Sequence, residues 1–162
     1  MKEENKQNRI QVLIGLGSNI NPSQNITEAL RLLDSKVTIR KYSSIYKSPA
    51  VGGDGPDFLN SVVLIETDLS IDLLRKNILL PIENLLGRIR SSDKYMDRTI
   101  DLDVLIYNQT TTDPELWTQA HVSVPASELL PDFKNPITDE KISQAAKRLL
   151  PGTSIQLWSD YS

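Results

Sequence analysis

The chain has no cysteine among its 162 residues, which excludes disulfides, thiolate nucleophiles and cysteine-based zinc or iron–sulfur centres. It has a single histidine, His121, which makes no zinc site without further ligands. No apolar run is long enough to span a bilayer, and Met1 to Arg9 is polar, without the apolar core of a signal peptide. Excess charge is also scarce. A net charge of -3 offers no electrostatic case for nucleic acid or an anionic membrane. What remains, 39% hydrophobic and 24% charged residues, is the composition of one globular domain. The expectation is a flexible tail over residues 1–9 and a single domain over 10–162. The absence of cysteine fits a cytoplasmic location.

Ile10 to Leu16 is β-rich and runs into Gly15-Leu16-Gly17-Ser18-Asn19, where a sharp turn is expected. Asn25 and Glu28 form a plausible capping pair ahead of a helix carrying Ile26, Ala29, Leu30 and Leu33. Val37 to Tyr46 reads as one strand. Ser48 to Asp57, rich in Gly and Pro, reads as a loop. Phe58 to Thr67 is a further strand. Ser70 caps a helix whose stripe is Ile71, Leu74, Ile78, Ile82 and Leu85, with a kink or split expected at Pro81. Ile100 to Tyr107 is the clearest strand, followed by a polar, irregular stretch from Gln109 to Thr112. Ile142, Ala145, Ala146 and Leu149 mark a last helix, and Ile155 to Trp158 a closing strand. The order β-α-β-β-α-β predicts an α+β fold, a ferredoxin-like sandwich with helices packed on an antiparallel sheet.

Three groups of residues carry possible chemistry. Asp101 and Asp103 alternate with Leu102 in a strand, so both carboxylates share one face. Ile100, Leu102, Val104 and Ile106 then take the other face, the one expected to be buried. Paired carboxylates offer oxygen ligands suited to Mg²⁺, and a pair of such ions can clamp a triphosphate. The spacing alone also fits two solvated charges on an open sheet face, although Asp is a poor strand former. Arg88, Arg90, Lys94 and Arg98 precede that strand in a charged loop. They fit either a phosphate clamp or a solvated segment. Phe58 and Asn60 share a face at a strand start. The first could stack on a heteroaromatic ring and the second hydrogen-bond its edge, or both could simply pack in the core.

Taken together, these segments resemble the 6-hydroxymethyl-7,8-dihydropterin pyrophosphokinase family. The resemblance runs through Ile14-Gly15-Leu16-Gly17-Ser18-Asn19, Ser43-Ser44-Ile45-Tyr46-Lys47-Ser48-Pro49, Pro56-Asp57-Phe58-Leu59-Asn60 and Ile82-Glu83-Asn84-Leu85-Leu86-Gly87-Arg88-Ile89-Arg90. It peaks at Asp97-Arg98-Thr99-Ile100-Asp101-Leu102-Asp103-Val104-Leu105. It implies Mg²⁺-dependent transfer of diphosphate from ATP to the pterin hydroxymethyl group in folate biosynthesis, releasing AMP. It also implies that Asp101 and Asp103 hold two Mg²⁺ ions, that Phe58 and Asn60 hold the pterin, and that Glu83 serves the nucleotide site. Arg88 and Arg90 would belong to a mobile catalytic loop and Arg98 would contact phosphate. Tyr95 stands where the family often has a tryptophan. A pterin and ATP are the implied partners, and a monomer or weak dimer the implied state.

After Tyr107 the chain departs from the family pattern, with a shortened strand. Asp113 stands for a histidine of the nucleotide site, Gln119 for an arginine there, and His121 for an aromatic that stacks on pterin. These substitutions leave other readings open: a paralogue acting on a different pterin or alcohol, a non-catalytic pterin-binding protein, or an interaction module with no small ligand.

Overall fold

The structure is a computed structural model and describes residues 9–50, 55–87 and 99–158. The expected tail therefore lies outside the described residues, except for Arg9. Strands β1 (Ile10–Ser18), β2 (Thr38–Tyr42), β3 (Tyr46–Ser48), β4 (Phe58–Thr67), β5 (Asp101–Tyr107), β6 (Thr110–Thr111) and β7 (Gln156–Leu157) form one sheet. Its order is β6-β5-β1-β4-β3-β7, with β2 paired to the other half of the β4 edge. Counting β2 and β3 as one interrupted strand, this is the antiparallel βαββαβ arrangement that the sequence predicts. The interruption is at Ser43, whose backbone N–H and hydroxyl bond the Val62 peptide in place of a regular ladder.

One sheet face packs on α1 (Pro22–Asp34) and on a helical stretch made of α2 (Ile71–Leu74), a π turn (Arg75–Leu79) and α3 (Leu80–Leu85). The core there joins Val12, Ile14 and Leu16 of β1 to Ile26, Leu33, Leu74, Ile82, Leu102 and Val104. α1 begins at Pro22, earlier than expected, because proline suits the first helical turn. Asn25 lies inside the helix and its amide donates to the Ile20 carbonyl, 2.6 Å away. Pro81 does not split its helix. Proline cannot donate to the carbonyl four residues back, and the turn just ahead of it is widened, with Leu80 N–H bonding Arg75 O.

The other face is also covered, which the alternation of residues in β5 does not predict. α4 (Glu115–Thr118), α5 (Ala120–Leu129) and α6 (Ile142–Leu149) lie over Leu13, Val62, Leu64, Leu105 and Ile106. Ile106 thus packs opposite to Leu102 and Val104, not with them. A β-bulge in the β1–β5 pairing, where Leu13 faces Ile106 but Ile14 faces Val104, inserts Leu105 and reverses the alternation. The supposedly irregular stretch after Tyr107 is a hairpin. Asn108 and Gln109 both take positive φ, 49° and 64°, as a two-residue turn between right-twisted strands requires.

Candidate active site

The covered face is filled along only half its length. From the Leu13 end it is core. Towards the other end β1 presents Gly15 and Gly17, which carry no side chain to fill the space. The strand does not turn at these glycines as expected but continues to Ser18. Gly15 pairs with Asp103 and Val62, and Gly17 with Asp101 and Asn60, so all of these share one face. The result is a cavity of about 320 Å³ with a glycine floor, lined by Phe58, Asn60, Asp101, Asp103, Gln119 and His121.

Each wall is held from behind. The Asn60 side chain is buried and its amide donates to Ser48 Oγ, 2.7 Å away. At the far end of α5, Glu128 accepts the Ser44 N–H at 2.9 Å and also accepts the Tyr46 hydroxyl. Burial and the Glu128 carboxylate push the Tyr46 phenol up to about 12, so it stays a donor. This clamp ties α5, which carries His121 in its first turn, to the strand that carries Ser48. Burial lowers the His121 pKa, against the pull of the Asp113 charge, so the imidazole that meets the cavity is neutral at neutral pH.

A second cavity, about 680 Å³, opens along the outer edge of β5. That edge has no strand partner over residues 101–104, because β6 pairs only with Ile106 and Tyr107. Asp72, Arg75, Lys76, Leu79, Leu80 and Glu83 form its helical wall, and Thr112 and Asp113 its far rim. Glu83 is buried and accepts the Leu102 N–H at 3.1 Å, which fixes the peptide between the two aspartates. Thr112 donates to the Val104 carbonyl at 2.7 Å.

Asp101 and Asp103 line both cavities. Asp103 keeps an exposed surface, yet the surrounding walls of the cleft restrict its hydration and push its carboxyl up to about 8. Repulsion from and hydrogen bonding with Asp101 add to this, followed by the charges of Asp113 and Glu83. Two acids held this close resist double ionisation unless a cation lies between them. Among the described residues no cluster of three or more His, Asp or Glu is set to hold a metal. Two carboxylates offer oxygen ligands to a hard cation such as Mg²⁺, which keeps water and phosphate oxygens in the rest of its shell.

The structure brings Phe58, Asn60, Gln119 and His121 together on one side of the carboxylates, and Glu83 and Asp113 on the other. Gln119 lies with the ring-binding candidates, not in the cavity where a nucleotide-site residue is expected. Arg88, Arg90, Lys94, Tyr95 and Arg98 lie outside the described residues. Sequence reading missed the glycine floor, since Gly-X-Gly also signals a turn. It also missed α4 and α5, whose apolar residues Leu116, Trp117, Val122, Ala126 and Leu129 do recur at helical spacing, but interrupted by Pro125.

A carboxylate pair on the shared wall of two cavities is the layout of a two-substrate, metal-dependent transfer enzyme. The model of the 7,8-dihydro-6-hydroxymethylpterin pyrophosphokinase family matches residues 13–131, and the chain belongs to that family. A 2-amino-4-hydroxy-6-hydroxymethyldihydropteridine pyrophosphokinase of Haemophilus influenzae is 35% identical, over 91% of this chain and 98% of that protein. Proteins of the same description from Bacillus subtilis and a Synechocystis species are 33% and 32% identical, over 84% and 85% of this chain and 87% and 75% of theirs. Among solved structures, wild-type Plasmodium falciparum HPPK-DHPS superposes with a TM-score of 0.71 at 11% identity, over 90% of this chain and 42% of that one. At that identity the likeness speaks for the fold alone, and this chain spans under half of that longer one.

Proposed function

We propose that the protein transfers diphosphate from ATP to the hydroxymethyl group of 6-hydroxymethyl-7,8-dihydropterin, releasing AMP, as a step of folate biosynthesis. The observation that carries this reading is the position of Asp101 and Asp103, which face a ring-sized cavity on one side and a charged cleft on the other. The pterin occupies the first cavity. Its flat ring lies over the glycine floor between Phe58 and His121, and its polar edge meets Asn60 and Gln119. ATP occupies the second cavity along the β5 edge, with Glu83 holding the strand backbone in place.

In the transfer, the pterin hydroxymethyl oxygen forms a bond to the β-phosphorus and its proton passes to solvent, while the bond from that phosphorus to the α-phosphate oxygen breaks and AMP leaves. Two Mg²⁺ ions, when bound, supply charge neutralisation for the phosphates. The protein's share is positional. Asp101 and Asp103 would hold the ions, Asn60 and the glycine floor orient the acceptor alcohol, and Glu83 keeps the two aspartates in register. On family resemblance, Arg88 and Arg90 are assigned to the catalytic loop, Arg98 to phosphate contact and Tyr95 to substrate binding.

A monomer or weak dimer is part of the proposal; β6 and β7 are two-residue strands, and short edges disfavour extensive pairing with another copy. No helix among the described residues is long and apolar enough to cross a membrane, and a cytoplasmic site of action is part of the proposal. The test is to mix purified protein with ATP, Mg²⁺ and the hydroxymethyl dihydropterin. AMP should form in step with pterin diphosphate; ATP left intact would overturn the reading.

A further inference from the structure

The ring cavity has two walls that come from separate parts of the chain. Phe58 and Asn60 belong to β4, and Ser48 and Pro49 to the end of β3. Facing them, Gln119, His121 and Val122 belong to the start of α5 and its cap. A flat ring held between Phe58 and His121 needs these walls at a fixed separation, because a gap of about 1 Å forfeits up to half of the dispersion attraction at each contact. Val122, Ala126 and Leu129 pack α5 onto the sheet. Such apolar contacts are non-directional, so they hold the helix on the sheet more firmly than they fix its place along it.

Glu128 supplies the direction. It lies seven residues after His121 in α5, two turns and roughly 10 Å along the axis, on the same face of the helix. Its carboxylate accepts the Ser44 N–H at 2.9 Å and also the Tyr46 hydroxyl. Ser44 lies in the break between β2 and β3, and Tyr46 opens β3. Tyr46 pairs with Asn60 across the β3–β4 ladder, and two residues further on Ser48 accepts the Asn60 amide at 2.7 Å. Tyr46, Ser48 and Asn60 therefore share the face that α5 covers. One carboxylate joins the strand that orients Asn60 to the helix that carries His121.

We infer that Tyr46 and Glu128 are positioning residues for the pterin site: their hydrogen bond sets the spacing between the α5 wall and the β3–β4 wall, and with it the affinity for the acceptor ring. Neither residue lines the ring cavity or the nucleotide cavity, so both act through other side chains and not by touching substrate. The identity of the ring rests on the proposed function; the clamp adds to it a control of pterin affinity from outside the cavity.

The test is pterin binding by fluorescence, with steady-state kinetics, for wild type, Tyr46→Phe, Glu128→Ala, Glu128→Gln and the Tyr46→Phe/Glu128→Ala pair. ATP binding is followed by calorimetry alongside. Glu128→Ala should weaken pterin roughly tenfold and raise its KM to match, with kcat at saturating pterin within about twofold of wild type, the pattern of lost uniform binding. Glu128→Gln keeps an acceptor for Ser44 and a partner for Tyr46, and should restore most of the affinity. The double variant should bind pterin no more weakly than Glu128→Ala alone, as a single shared contact requires. ATP affinity should not move. Ile26→Val, in the core on the opposite sheet face, is the stability control: it should lower the melting temperature and leave pterin affinity as it was. Tyr46→Phe is read in place of Glu128→Ala if the latter melts early, with a loss of about threefold expected. The inference is overturned by unchanged pterin affinity in the clamp variants, or by an equal loss in Ile26→Val. Failure of wild type to bind the pterin at all would sink the proposed function itself; a wild type that binds it, beside clamp variants that bind it equally well, sinks this inference alone.

Discussion

The two cavities that share Asp101 and Asp103 are built in opposite ways. The ring-binding side is a hollow in a sheet face. Two glycines leave out side chains where the neighbouring half of the same face is packed with Leu13, Val62 and Leu64. Apart from the shared acids and Glu115, its polar groups, Asn60, Gln119 and neutral His121, carry no charge. The nucleotide side is a gap at a sheet edge, left because β6 is too short to cover residues 101–104, and its lining is dominated by charge. One site selects by shape and hydrogen-bond pattern, the other by electrostatics. A bicyclic ring and a polyphosphate need just these two treatments.

Removing the shared element should give the largest effect. Asp101→Asn or Asp103→Asn should lower kcat by on the order of a thousandfold or more. Metal-free pterin binding, followed by fluorescence, should stay within a few-fold of wild type. Loss of both together would mean that the cavities are not separable.

Filling the hollow should affect one cavity only. A Cβ at Gly17 would lie 3.4 Å from Asn60 Oδ1 and 3.9 Å from Phe58, ordinary contacts that the fold accepts. Gly17→Ala should therefore keep its melting temperature, yet weaken pterin about tenfold through one misplaced methyl. ATP binding should not change. Gly15→Ala differs, because its Cβ meets Leu105 Cδ1 at 3.3 Å. It should cost about 1 kcal/mol of stability, measurable by urea titration.

Acidity sharpens the comparison further. The Asp103 carboxyl is pushed from 3.8 up to about 8 in the metal-free fold. The folded state therefore holds a proton that the unfolded chain has released. Its stabilising contribution is complete below about pH 4 and disappears as pH rises through about 8. Mg²⁺ competes with that proton. Mg²⁺ affinity should climb between pH 6 and 9, and binding near pH 7 should release protons, visible as a dependence of the calorimetric heat on buffer. Affinity that is flat across this range would contradict the assignment of Asp103 as a ligand.

The smallest effect concerns the support of the pair. Glu83→Gln keeps an acceptor for the Leu102 N–H and should cost under about 1 kcal/mol. Glu83→Ala orphans that buried donor and should cost about 1–3 kcal/mol. Equal losses in a denaturant titration would show that the charge, not the hydrogen bond, is what matters there.

Much of this molecule is readable from its residues. Alternation in Phe58–Thr67 and around Asp101 and Asp103 places Asn60 and the two acids on faces that the sheet register then aligns. Local patterns fail where a distant partner decides. Gly15 and Gly17 look like turn residues until β4 and β5 are seen pairing on either side of them. Ile106 follows period two on paper, but the bulge at Leu105 shifts it to the other face. Pro125 hides α5, which tolerates the proline because its apolar face is packed on the sheet.

The βαββαβ order of the main elements, the pairing of two acids on one face and the family motifs all follow from the chain's own residues, because periodicity and spacing are local properties. Folding alone decided that those acids form a wall between two cavities, that a second helical layer covers one half of a sheet face, and that Arg75 and Lys76 look into the charged cleft. These depend on which segments meet across long stretches of chain, and no short stretch of sequence records that.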